Sequence, residues 1–143
     1  MIIRDLRAED RPQWAPLWQG YLDFYEAALP AAVTEATFAR LIDPAEPLFA
    51  LAAEDGGQLI GLAHCLLHRA TWTLTHYCYL EDLFVAPAAR GKGVGRALIE
   101  AVYARADAEG ATRTYWMTQE NNATARALYD RVAKYAGFIQ YRR

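Results

Sequence analysis

The sequence predicts an α/β (α+β) domain, a mixed and mostly antiparallel sheet of about six strands flanked by about four helices. Three observations support this. Short extended apolar runs alternate with stretches of helical period along the chain. Glycine and proline punctuate the changes between them, at Leu29-Pro30, Pro44, Pro47, Asp55-Gly56-Gly57, Pro87 and Gly110. With 143 residues, 54% hydrophobic and 22% charged, the chain suits one domain (1–143) with a continuous core.

Each element has its own signal. Ile2 to Arg7 alternates as a strand does, and Ala8-Glu9-Asp10 opens a helix with its acidic residues early. In that helix Trp14, Leu17, Trp18, Tyr21, Leu22 and Tyr25 recur at spacings of three and four, which marks one apolar face. Thr34 suits the N-cap of a second helix, Glu35 to Ile42. Leu48 to Glu54 and Gln58 to Leu67 form a hairpin around Asp55-Gly56-Gly57. Thr71 to Val85, with a break near Thr75-His76, continues the meander. Val94 to Glu109 has the period of a long amphipathic helix stopped by Gly110. Thr112 to Thr118 reads as strand, Asn122 to Lys134 as helix and Gly137 to Tyr141 as a final strand.

Composition excludes several functions. A net charge of -2, with no basic stripe along any predicted helix, gives no footprint for nucleic acid. No apolar run approaches the roughly 20 residues of a membrane span, and Met1-Ile2-Ile3-Arg4-Asp5 does not begin as a signal peptide does, so a cytoplasmic protein is expected. Cys65 and Cys78 lack CxxC spacing and histidine partners, which predicts buried free thiols and no metal site. His64 and His68 share a strand face without a third ligand and read as ordinary polar positions.

The informative segment runs from Tyr79 to Arg96, a strand entering a glycine-rich turn that opens a helix. The first turn of a helix carries unpaired N–H groups and partial positive charge, and glycines allow an anion close approach. Gly91, Gly93 and Gly95 stand at alternate positions, with Arg90, Lys92 and Arg96 adding positive charge, so the turn suits a pyrophosphate. A Walker A loop is excluded because Gly95 is followed by Arg96-Ala97, and a dinucleotide fingerprint because its third glycine falls on Arg96.

Arg90, Gly93 and Gly95, placed after a strand ending Val85-Ala86-Pro87, resemble the coenzyme A pyrophosphate loop of the GNAT acetyltransferase superfamily. The resemblance covers Leu59 to Phe138. Asn122, Ala125, Leu128 and Tyr129 are similar to that superfamily's late helical motif, and Gly137-Phe138 to its closing pair, after a longer spacer than usual. Tyr79-Leu80-Glu81-Asp82 resembles spermidine/spermine acetyltransferases, and the segment from Leu128 to Arg142 the histone/polyamine branch.

The resemblance implies an N-acetyltransferase that uses acetyl-CoA as co-substrate and a small-molecule primary amine, such as a polyamine or an amino acid, as acceptor. An alkylammonium has a pKa near 10.4, so a base must free the lone pair, and Glu81 is the candidate. Asp82 faces away from Glu81 in a regular strand; it would reach the substrate only through a bulge and otherwise serves a salt bridge. By resemblance, the Leu83 N–H meets the developing oxyanion, Phe84 and Val85 continue the strand edge that pairs with pantetheine, and Tyr129 protonates the leaving thiolate. Val94 lies with the glycines in the coenzyme loop; Asn122 binds pantetheine, caps its helix, or does both. Trp14 and Trp18 read as packing, as do Trp72 and Trp116 as core or interface residues, whereas Tyr25 reads equally as packing or acceptor contact. A homodimer pairing through the C-terminal strand and Tyr141 is also implied. A non-catalytic coenzyme A sensor, a protein lysine or N-terminal acetyltransferase and an interaction module are the alternatives.

Overall fold

The computed structural model describes residues 1–143. Strands β1 (Ile2–Asp5), β2 (Leu48–Asp55), β3 (Gln58–His68), β4 (Tyr77–Val85) and β5 (Thr114–Tyr115) lie side by side in that order. The first three pairings are antiparallel and β4–β5 is parallel, with helix α3 (Val94–Ala108) as the crossover. Helices α1 (Arg11–Phe24) and α2 (Ala31–Ile42) precede β2, and α4 (Ala123–Val132) follows β5.

The period of two along the strands sorts the core into two layers. Phe49, Leu51 and Ala53 of β2, Ala63 and Cys65 of β3 and Cys78 and Leu80 of β4 pack with Leu98, Ile99 and Val102 of α3. The alternate residues Ala50, Ala52 and Leu62 face Trp14, Leu17 and Trp18 of α1 and Phe38 and Leu41 of α2. Trp14 and Trp18 are thus core residues, stacked with ring centroids 5.8 Å apart. Cys65 and Cys78 are free and buried.

Several boundaries differ from the sequence reading. Helix α2 begins at Ala31, one turn before Thr34, because Pro30 already has the extended backbone that precedes a helix. β4 begins only at Tyr77; residues 69–76 form turns and bends, and Trp72, expected in a core or interface, is 80% exposed above them. β5 holds two residues where seven were expected. Gly137 to Tyr141 forms no strand, so the sheet has five strands; the two-residue β5 offers it little edge on which to pair. No helix is long and apolar enough to cross a membrane.

Candidate active site

The site starts from an irregularity in β4. Against β3, His64 pairs with Asp82 but Cys65 pairs with Leu80, so Glu81 is the extra residue of a β-bulge. Leu80 and Leu83 consequently both contact the α3-side core, which a regular strand forbids for residues three apart. The two carboxylates between them fall on the opposite face, toward α1. Asp82 does not point away from Glu81, because the bulge re-aims it.

The walls come from both sides of the sheet, from α1 and its end on one and from β4, the segment after β5 and α4 on the other. Tyr21, Tyr25, Leu80, Glu81, Leu83, Trp116, Met117 and Tyr129 line one cleft. Tyr21 and Tyr25 lie 5.0 Å apart by ring centroid, and the Tyr129 ring meets Trp116 edge-on at 5.4 Å. Glu81 is solvent-accessible, yet partial desolvation among these rings raises its proton affinity above the ordinary carboxylate value, and the neighbouring Asp82 charge raises it further. Burial pushes the Tyr129 hydroxyl up to about 12, so it is a protonated donor at neutral pH.

The cleft continues along an open strand edge. β4 pairs β5 only at Cys78–Thr114 and Tyr79–Tyr115, so from Leu80 to Val85 that edge of β4 has no strand partner. The split coincides with the bulge, which bends the strand that carries it. Leu83 and Val85 turn their side chains to the α3-side core, whereas Phe84 turns to Tyr21.

At the end of this edge the chain passes through Pro87–Ala89 into the glycine turn. Gly93 flanks α3 at φ 82°, a left-handed conformation natural to glycine, and a Cβ built there would meet nothing within 4 Å. The N-terminus of α3 therefore opens onto free space, as an anion cradle requires. A Cβ on Gly95 would lie 3.4 Å from Leu128, so this glycine sets the approach of α4 to α3. Arg90 does not point freely into the cradle: its Nε donates to the Val85 carbonyl at 3.0 Å and its guanidinium lies over Phe84. Arg96 bonds Glu100 at 2.9 Å on the surface of α3, while Gly91 and Lys92 are exposed on the turn. Val94 is buried at the start of α3.

Asn122 caps α4, its Oδ1 accepting from the Ala125 N–H at 3.3 Å. The cap positions Tyr129 two turns later, and the Tyr103 hydroxyl donates to the Val132 carbonyl to fix the far end.

Glu81, Leu83, Tyr25 and Tyr129 are thus brought to one cleft, with the glycine turn at the end of the open β4 edge. Tyr21, Trp116 and Met117 join them; the sequence offers Tyr21 beside Tyr25 for an aromatic acceptor pocket, but gives no sign of Trp116 or Met117 there. The sequence reading also missed His64, which is 2% exposed and packed between Trp14 and Asp82. A signal existed, since His64 is the single polar side chain in the apolar run Leu59 to Leu67. His68 is bonded separately to the Tyr115 hydroxyl at 2.7 Å.

The profile of the acetyltransferase (GNAT) family matches residues 6–135. The chain belongs to that family. As a GNAT protein it is an acetyl-CoA-dependent acyltransferase with N-acetyltransferase activity. It is 39% identical over 145 residues to the D-amino-acid N-acetyltransferase HPA3 of Saccharomyces cerevisiae, covering 100% of this chain and 90% of that protein. It is 32% identical to the uncharacterized N-acetyltransferase YhfO of Bacillus subtilis, covering 99% and 95%. Its fold is shared with the aminoglycoside acetyltransferase AAC(6')-Iy in complex with a bisubstrate analogue, at a TM-score of 0.86 and 20% identity over 99% of this chain and 96% of that one.

Proposed function

We propose that this GNAT protein acetylates the primary amine of a small molecule by direct attack in a ternary complex with acetyl-CoA. One observation carries the reading: Glu81, on the bulge, and the Tyr129 hydroxyl line the same cleft, at the point where an unpaired strand edge leads to the glycine turn of α3. Acetyl-CoA supplies a thioester, an electrophilic carbonyl bonded to a good leaving group. The turn from Arg90 to Arg96 and the N–H groups of α3 hold the pyrophosphate, and the free edge from Leu83 to Val85 aligns the pantetheine arm as an added strand.

Glu81, directly or through a water, takes a proton from the acceptor's ammonium, leaving the lone pair on nitrogen. That pair forms the C–N bond as the C–S bond breaks. The Leu83 N–H meets the charge that grows on the carbonyl oxygen. Tyr129 gives its proton to the sulfur and regains one that the new amide nitrogen sheds. Asn122, which caps α4, also hydrogen-bonds the pantetheine in this reading. Tyr25 and Asp82 border the acceptor.

The named relative favours an amino acid of D hand as the first acceptor to try, and the Glu81–Asp82 pair favours cationic amines generally. A coenzyme A sensor would not need a base and an acid facing one cleft. The exposed Phe138, Ile139 and Tyr141 beyond α4 support a homodimer in which the C-terminal segments pair. The deciding experiment is acetyl-CoA-dependent thiol release across amino acids of both hands, polyamines, aminoglycosides and lysine peptides. Turnover confined to small amines supports the proposal; turnover confined to peptides, or coenzyme binding without turnover, overturns it.

A further inference from the structure

Behind Asp82 runs a buried chain of hydrogen bonds with no part in the steps above. The Trp14 Nε1–H donates to His64 Nε2 at 3.1 Å, and His64 Nδ1 lies 3.0 Å from Asp82 Oδ2. An indole N–H can only donate, so His64 Nε2 must accept; the imidazole is neutral and its single proton, on Nδ1, is donated to Asp82. Trp14 is fully buried and His64 is 2% exposed; Asp82 does not itself line the cleft, but it is the most accessible member of the chain and adjoins Tyr21 and Tyr25, which do. An uninterrupted line thus joins the core of α1 to the residue beside the proposed base.

We infer that Trp14 and His64 are positioning residues, which hold the Asp82 carboxylate beside Glu81 so that the acceptor's ammonium group is seated between two carboxylates. This rests on the reading of Glu81 as the base. Asp82 contributes in two ways: its charge attracts the ammonium, and its proximity makes Glu81 a stronger base than an isolated carboxylate. The other groups facing the pair are Tyr21 of α1, Tyr25 at its C-terminal cap, Tyr79 of β4, Tyr115 of β5 and Tyr129 of α4. All five hydroxyls are shifted upward, mainly by burial, so they stay neutral while Glu81 titrates. The charge that modulates Glu81 is therefore that of Asp82, and its placement is set by His64.

The test compares His64→Leu, His64→Asn and Asp82→Asn in steady-state kinetics across pH, with melting curves in parallel. His64→Leu should raise the amine KM about 10- to 100-fold, the range of one charge-assisted hydrogen bond, and leave the acetyl-CoA KM unchanged. His64→Asn keeps a donor for Asp82 but strands the Trp14 N–H; it should melt earlier than the parent yet recover most of the amine KM. Asp82→Asn, nearly isosteric, should move the acid limb of kcat/KM to lower pH because Glu81 loses its anionic neighbour. An unchanged amine KM in His64→Leu, or an unmoved acid limb in Asp82→Asn, overturns this inference while leaving the acetyltransferase reading intact. If the parent shows an acid limb that survives Glu81→Gln, the reading of Glu81 falls and this inference falls with it.

Discussion

At the scale of single residues, environment suits Glu81, the proposed base, and Tyr129, the proposed acid, to opposite tasks. Partial desolvation and the Asp82 charge make Glu81 hold its proton more tightly, so its basic form is depleted at a pH where an ordinary carboxylate is still ionised. The parent enzyme should therefore lose kcat/KM as pH falls through that raised value. Glu81→Gln should abolish this limb and lower the rate by about 10²–10⁴-fold, as read from a pH profile on the best amine. Tyr129 begins protonated and meets a thiolate, which leaves readily without much help. Tyr129→Phe should slow turnover by roughly 10- to 100-fold, below the full range for acid catalysis, with the acetyl-CoA KM little changed. Both residue types were visible in the chain, but the company of Asp82 was not. A strand written as alternating residues puts Glu81 and Asp82 on opposite faces, and only the pairing with β3 reveals the extra residue.

At the scale of elements, α3 and its entry turn form the proposed anion site, and β1 carries an ion pair that anchors the other side of the sheet. Gly93→Glu places a carboxylate in the open space before α3 and in a left-handed conformation that costs roughly 1–2 kcal/mol. Coenzyme A affinity measured by calorimetry should fall at least about 100-fold, or about 2.8 kcal/mol. A retained affinity would remove the turn from the site. On β1, Arg4 donates to both oxygens of the buried Asp10 at 2.7 and 2.9 Å and to Glu54 at 2.5 Å, and the Arg7 N–H adds a bond to Asp10 at 2.7 Å. Arg4 chiefly, and then the Arg7 N–H, hold the Asp10 carboxyl below its ordinary value. The stability this gives is fully present above the unfolded value of about 3.9 and disappears as pH falls through the lower folded value. Asp10→Asn should cost about 1–3 kcal/mol at neutral pH, and its melting temperature should approach the parent's in acid. The helices were legible because their apolar faces repeat at three and four. The start of α2 was not, since Thr34 has the chemistry of a cap while the backbone turns helical a turn earlier, after Pro30.

At the scale of the whole molecule, the segment beyond α4 leaves several large apolar side chains in solvent. Phe138, Ile139 and Tyr141 are 82%, 73% and 89% exposed, and the proposed homodimer would cover them. Sedimentation at micromolar concentration should give a dimer, and deletion of residues 137–143 should give a monomer that still binds acetyl-CoA. A parent that sediments as a monomer removes the pairing. The alternation of strands and helices, the apolar face of α1 and the glycine turn before α3 were all written in the sequence, because each follows from local period or from glycine at fixed spacing. Tertiary structure alone decided that Asp82 joins Glu81, that His64 is a buried link between α1 and β4, and that β5 stops after two residues. Those facts depend on the register of one strand against its neighbour, and register is set by contacts between residues far apart in the chain, which no local pattern records.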